Sequence, residues 1–344
     1  MTTSPCMMQK LRNILIVALL LWGGVVYAQA VPDPVQYLVA PETPGPRETV
    51  LIEVQGVGSF LGSATITWSQ DGKVVKSGVG ERSYAFTAGA LGTRSTVRVS
   101  IDSSQGSFVR TFIISPSLVN LVWEADTSVP VLYRGKALYS AGSPVKVVAF
   151  PSAYSGSARI LSSALSFQWS RGGAAVPEQS GLGRSTFSFM GDQLQAAETV
   201  AVEVYYGTAK VARGEVTIPA SNPKIVFYQR DALRGTLYDT AIPAAIQLVG
   251  KELTVQAEPY YFAMSAKRTG QLSYVWTLNG AETTGPDAAQ GLLTLRQTGS
   301  GEGAASLGVT VQNNSSDQFV QAAQATIQLL FGTQSQSLFN LFDL

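Results

Sequence analysis

One tryptophan hairpin is written three times in this chain. Ile66-Thr67-Trp68-Ser69-Gln70-Asp71-Gly72-Lys73 returns as Phe167-Gln168-Trp169-Ser170-Arg171-Gly172-Gly173, and again as Tyr274-Val275-Trp276-Thr277-Leu278-Asn279-Gly280. The tryptophans stand 101 and 107 residues apart. An alternating strand follows each at a near-constant distance: Val97 lies 29 residues after Trp68, Val200 lies 31 after Trp169, and Leu307 lies 31 after Trp276. A period of this length is the size of one immunoglobulin-type sandwich, about 100 residues. The 344 residues therefore divide into three copies of one unit, expected at 31–116, 117–220 and 221–331.

Within each unit the apolar residues recur at period two, which places them on one face of a strand. Val50, Ile52 and Val54 form one such face in the first copy, and Val97, Val99 and Ile101 another. Val145, Val147 and Ala149, then Val200, Val202 and Val204, repeat the pattern in the second. Leu253, Val255 and Ala257, then Leu307, Val309 and Val311, repeat it in the third. Asp71-Gly72 is a hairpin-turn dipeptide. No helix of ordinary length is needed; Ala196-Ala197-Glu198 and Asp287-Ala288-Ala289 read as short turns between strands. The expected fold is all-β, three tandem sandwiches.

Composition removes several classes of chemistry. Lys plus Arg is 24 and Asp plus Glu is 23, so the basic face that nucleic acid requires is not expected. There is no histidine, which excludes serine or cysteine nucleophiles paired with an imidazole, and histidine-ligated zinc or copper. The one cysteine, Cys6, precedes the first apolar run, so no disulfide or thiolate site is expected in the repeats. The junctions Ser115-Pro116-Ser117 and Pro219-Ala220-Ser221-Asn222-Pro223 are neutral and lack the acidic runs of a calcium-stiffened linker. No cofactor, metal or catalytic residue is expected.

The N-terminus has the order of a secretory signal peptide. Lys10 and Arg12 are its positive region, Ile14 to Trp22 its apolar region, and Ala28-Gln29-Ala30 a small-x-small cleavage site. Residues 1–30 are expected to direct export and be removed, placing the protein outside the cytoplasm, as a secreted, periplasmic or cell-surface chain. The alternative is a membrane anchor over residues 14–28, although that run is shorter than the roughly 20 residues a full span needs.

The tryptophan strand ending at a glycine turn, followed about 30 residues on by an alternating strand, resembles the immunoglobulin-like and polycystic-kidney-disease-like (PKD-like) repeats of bacterial surface and secreted proteins. The resemblance covers about 31–331. It implies that Trp68, Trp169 and Trp276 cross the core between two sheets. It further implies a non-catalytic extracellular module serving as spacer, adhesin part or assembly component. The paired cysteines of antibody domains are absent, with Val97 and its equivalents in place of the second.

Contacts with a protein or glycan partner at the cell surface are then expected at loops and at the tail. The loop after the second strand lengthens from Gln55–Gly62 in the first copy to Pro151–Ser163 and Glu258–Gln271 in the others. The last holds Tyr260, Tyr261 and Phe262 beside Lys267 and Arg268, aromatic and basic residues suited to a sugar, peptide or protein. The competing use of these rings is to plug the sandwich end or the joint with a neighbouring repeat, the default for such apolar area. In the tail, Leu338, Phe339, Leu341 and Phe342 follow a polar spacer, and either fold back on the third repeat or dock on a partner. The leading expectation is a structural or adhesive protein. The alternatives are a carbohydrate-binding accessory protein, with the three rings on one flat surface, and a hydrolase using carboxylates alone. For the latter, Glu124, Asp126, Asp231 and Asp239 are available, although they read as solvated loop charges.

Overall fold

The computed structural model describes residues 35–56, 60–155, 158–192, 195–248, 250–315 and 321–332. The signal segment and tail residues Leu338, Phe339, Leu341 and Phe342 lie outside these. The described chain forms three tandem immunoglobulin-like β-sandwiches, each closed on its own apolar core.

The first domain carries β1 (Val35–Ala40), β2 (Thr49–Gly56), β3 (Thr65–Gln70), β4 (Lys73–Val79), β5 (Ser83–Thr87), β6 (Ser95–Ser103) and β7 (Gly106–Ile114). A β1-β2-β5 sheet packs on a β4-β3-β6-β7 sheet. The second domain begins with β8 (Leu118–Ala125), β9 (Pro144–Ser152) and the small hairpin β10 (Tyr154–Ser155) and β11 (Ala158–Arg159). It continues with β12 (Ser166–Arg171), β13 (Ala174–Ala175), β14 (Gly181–Leu182), β15 (Thr186–Met190), β16 (Ala197–Tyr206) and β17 (Ala209–Pro219). Here β15-β9-β8 faces β13-β12-β16-β17, with β14 also paired to β12.

The third domain comprises β18 (Lys224–Asp231), β19 (Gly235–Ala241), β20 (Ala245–Gln247), β21 (Glu252–Tyr260), β22 (Leu272–Leu278), β23 (Ala281–Thr283), β24 (Leu292–Arg296), β25 (Gly303–Asn313) and β26 (Ala322–Phe331). Its sheets are β19-β18-β21-β24 and β20-β26-β25-β22-β23, and only the β20–β26 pair is parallel among the described strands.

The three tryptophans are 0%, 1% and 1% exposed. Burying an indole leaves its N–H to be satisfied, and each domain supplies a carbonyl from the loop that follows. Trp68 donates to the Glu81 carbonyl at 2.8 Å, Trp169 to that of Arg184 at 2.8 Å and Trp276 to that of Ala288 at 3.1 Å. The turn after each tryptophan has two successive positive φ angles: Asp71 50° and Gly72 85°, Gly172 55° and Gly173 82°, Asn279 51° and Gly280 82°. Such a turn matches the right-handed twist of a hairpin and selects Asn, Asp or Gly. The first turn residue is then pinned to the next strand by an equivalent bond in every domain: Asp71 N–H to Thr96, Gly172 N–H to Thr199, Asn279 N–H to Ser306.

Two local expectations change. Ala197 and Glu198 are not a turn: both begin β16, where Glu198 is buried with its carboxylate on the Arg171 guanidinium, at 2.9 and 2.6 Å. The loop Glu258–Gln271 is partly regular, because β21 extends to Tyr260 and a short helix runs Met264–Arg268.

Candidate functional site

The aromatic loop of the third domain sits at the joint with the second. β21 delivers Tyr260 inward, and the chain then turns sharply at Tyr261, whose φ of 66° is strained for a bulky residue. The turn brings 261–264 alongside 126–128 of the second domain. Ser128 N–H donates to the Phe262 carbonyl at 2.8 Å, Tyr261 N–H to the Ser128 carbonyl at 2.8 Å, and Met264 N–H to the Asp126 carbonyl at 3.0 Å. Thr127 and Ala263 form an antiparallel bridge. Two loops from different domains thus complete each other as a short ladder, which meets the backbone hydrogen-bonding requirement of buried chain.

Side chains reinforce this ladder. The Ser128 hydroxyl donates to the Pro259 carbonyl at 2.7 Å, and the Ser140 hydroxyl to that of Tyr261. Gln321 joins four groups. Its oxygen accepts from Ala263 N–H and Asn313 Nδ2, both at 2.9 Å, and its amide nitrogen donates to Ser140 Oγ at 2.9 Å and the Ala141 carbonyl at 2.8 Å. The linker adds a bond from Ser221 N–H to the Tyr139 carbonyl at 2.7 Å.

The residues expected to contact a ligand are used inside this arrangement. Tyr260 is 2% exposed and Phe262 0%. The Tyr260 hydroxyl donates to that of Tyr228 at 3.1 Å, and burial first, then that bond, raise its pKa above the usual tyrosine range. Tyr261 is half-buried, with the Lys224 ammonium 5.5 Å from its ring centroid. Lys267 pairs at 2.7 Å with Glu258, a buried carboxylate that also accepts from the Tyr238 hydroxyl at 3.2 Å. Arg268 remains exposed and faces Asp126 across the joint at 3.7 Å. The flat platform of three exposed rings that a carbohydrate-binding module requires is therefore corrected: Phe262 packs in the third domain's own core, Tyr260 bonds Tyr228 of the same domain, and the loop's backbone forms the joint. The physical reason is that a sandwich pole abutting a neighbour lowers its free energy by burying rings and pairing backbone.

Ser128, Ser140 and Gln321 were not foreseen from sequence. A serine in a neutral loop carries no periodic signal, and only burial at 1%, 0% and 5% reveals their role.

The joint between the first and second domains is of another kind. Ser117 N–H donates to the Pro44 carbonyl at 3.0 Å, and Lys210 meets the exposed Glu42 at 2.8 Å. A cleft of about 350 Å3 lies between them, lined by Glu42, Arg94, Tyr154 and Lys210 among others.

Of the four acids considered for hydrolysis, Glu124 and Asp126 share one shallow cleft, and Asp231 and Asp239 stand apart in the third domain. Glu124 and Asp126 are exposed and border a shallow cleft of about 560 Å3 with Lys146 and Met190. Asp231 caps a turn, where the amides of Arg234 and Leu233 hold its carboxyl below the usual carboxylate range. Asp239 is exposed on β19. Among the described residues no group of three or more acids, histidines or cysteines is placed to hold a metal ion, and no helix is long and apolar enough to cross a membrane.

No family model and no curated protein matches the chain. Solved structures of tandem modules align along most of its length. Three N-terminal domains of the highly immunogenic outer capsid protein of bacteriophage RB49 are 12% identical over 87% of this chain and 97% of that one, at a TM-score of 0.26. The central fibronectin-III array of RIM-binding protein is 12% identical over 87% and 97%, at 0.27. Extracellular domains 3–5 of Drosophila OTK are 13% identical over 88% and 99%, at 0.21.

Proposed function

We propose that this chain is an exported, non-catalytic structural or adhesive protein. Its second and third domains act as one stiff arm, and its first domain is joined more softly. The observation that carries this reading is the joint itself: three backbone bonds, with Ser128, Ser140 and Gln321 added, hold the third domain on the second. A joint of this kind transmits orientation and load between modules, which is what a spacer or adhesin requires. Inter-domain contacts that are small and polar leave domains free to move, and the Ser117–Pro44 bond with the Lys210–Glu42 pair fits that description at the first joint.

The reading is tested in cells expressing the full chain. N-terminal sequencing is expected to find a mature protein starting at Val31, in an extracytoplasmic fraction and accessible to added protease. Small-angle scattering of that mature chain is expected to require the second and third domains to move as one body. A chain retained in the cytoplasm with residues 1–30 attached overturns the export part. Independent tumbling of the last two domains overturns the stiff arm.

A further inference from the structure

A turn of the second domain holds three consecutive apolar side chains out into solvent. Val131, Leu132 and Tyr133 are 54%, 91% and 43% exposed. Tyr133 N–H donates to the Pro130 carbonyl at 3.0 Å, and Leu132 has a φ of 64°. That third place of a four-residue turn suits glycine or asparagine, and a leucine there strains the backbone. So exposed a side chain gains little from packing to offset the strain.

The turn stands on a closed stem. Ala125 N–H donates to the Ala137 carbonyl at 3.3 Å, and the Thr127 hydroxyl to that of Leu138 at 2.7 Å. The Lys136 ammonium lies 3.4 Å from the centroid of the Trp123 ring. A Cβ on Gly135 would come within 2.5 Å of the Tyr133 ring, so that ring lies across the glycine. From Val129 to Leu138 the chain carries Arg134 and Lys136 and no acid. The preceding acids, Glu124 and Asp126, already face cations: Lys146 stands opposite Glu124 on β9, and Arg268 lies 3.7 Å from Asp126. Arg134 and Lys136 are exposed, and Arg134 has no ion pair among the described residues.

We infer that this turn is a docking tip for an anionic lipid surface, with Val131, Leu132 and Tyr133 inserted at the headgroup level and Arg134 and Lys136 on the lipid phosphates. Apolar insertion and attraction to anionic headgroups together hold a peripheral protein to a bilayer, and the turn offers both. Apart from the Tyr133 hydroxyl it has no neutral polar side chain with which to recognise a protein partner. Tyrosine itself suits the boundary, with an apolar ring and a polar end. The other fully exposed leucine turn lacks this combination. Leu233 is 97% exposed, but no large apolar side chain stands beside it, and Arg234 faces Asp231 at 3.9 Å.

The test is co-sedimentation of the chain from Val31 onward with phosphatidylcholine vesicles, with and without phosphatidylglycerol. It reads lipid contact independently of export. Binding is expected with the anionic vesicles and is expected to weaken as salt is raised. Leu132→Asn, which a left-handed turn accepts, should lower the partition coefficient at least about tenfold without lowering the melting temperature. Arg134→Gln should lower it about fivefold, and Leu233→Asn should leave it unchanged. Absence of binding, binding indifferent to phosphatidylglycerol, or equal losses in Leu132→Asn and Leu233→Asn overturn the inference. Self-association through Leu132 in place of vesicle binding, read by analytical sedimentation, overturns it in favour of a second copy as the partner. The chain from Val31 has no cysteine, so an environment-sensitive dye can be attached at Leu132→Cys or at Leu233→Cys. A blue shift on anionic vesicles is expected at the first position only; a shift at both or at neither overturns the inference.

Discussion

Gln321→Ala tests the stiff joint most directly. The side chain is 5% exposed and makes four hydrogen bonds, two within the third domain and two to Ser140 and Ala141 of the second. A buried hydrogen bond contributes about 0.5–1.5 kcal/mol net, and a partner left buried without one costs more. Four such bonds amount to about 2–6 kcal/mol, of which about 1–3 kcal/mol belongs to the joint. At 4–8 °C per kcal/mol for a domain near this size, a loss of about 3 kcal/mol lowers the melting of the third domain by roughly 12–24 °C in calorimetry. Ser140→Ala separates the two halves. It removes the acceptor for the Gln321 amide and the donor to the Tyr261 carbonyl, both across the joint. It should loosen the joint in small-angle scattering while sparing the third domain's own melting more than Gln321→Ala does. A double-mutant cycle with Ser140→Ala should show coupling of about 0.5–3 kcal/mol. Melting within about 2 °C of the parent for Gln321→Ala, together with an unchanged scattering curve, would refute the assignment of joint rigidity to this residue.

Trp169→Ala removes a buried indole stacked on Phe187 at 5.5 Å and leaves the Arg184 carbonyl without its donor; a loss of about 3–5 kcal/mol is expected in the second domain, read by denaturant unfolding. Glu198 gives the second domain a pH dependence. Burial works against its charge, but the Arg171 guanidinium and the Asp192 amide outweigh burial, and its pKa falls below the usual glutamate range. The unfolded value is therefore the higher one, so this contribution is complete above about pH 4.3 and is lost as pH falls through the lower folded value. Acid titration of unfolding should show that loss in the parent and not in Glu198→Gln. Arg171→Met strands the buried carboxylate and is expected to cost about 3–5 kcal/mol at neutral pH; a variant as stable as the parent would show that the pair contributes nothing.

The hairpin tryptophans, the alternating strands and the number of units were legible in the sequence because each depends on short-range rules. A period of two places Val97, Val99 and Ile101 inward whatever lies beyond them, and two positive φ angles demand Asp-Gly, Gly-Gly or Asn-Gly at the turns. The same rules misread Glu198, since an acid beside two alanines resembles a turn until Arg171 arrives from another strand. They were silent on Ser128, Ser140 and Gln321, whose partners lie 131, 121 and 181 residues away in sequence.

Tyr260, Tyr261 and Phe262 mark the division most clearly. Composition alone determined that this loop carries a large apolar surface that cannot stay free at low cost. Only the tertiary structure decided what covers it. Phe262 turns into the third domain's own core and Tyr260 onto Tyr228, while the loop's backbone is paired by Asp126, Thr127 and Ser128 at the right spacing. That is a condition on geometry between domains, which local sequence patterns do not encode.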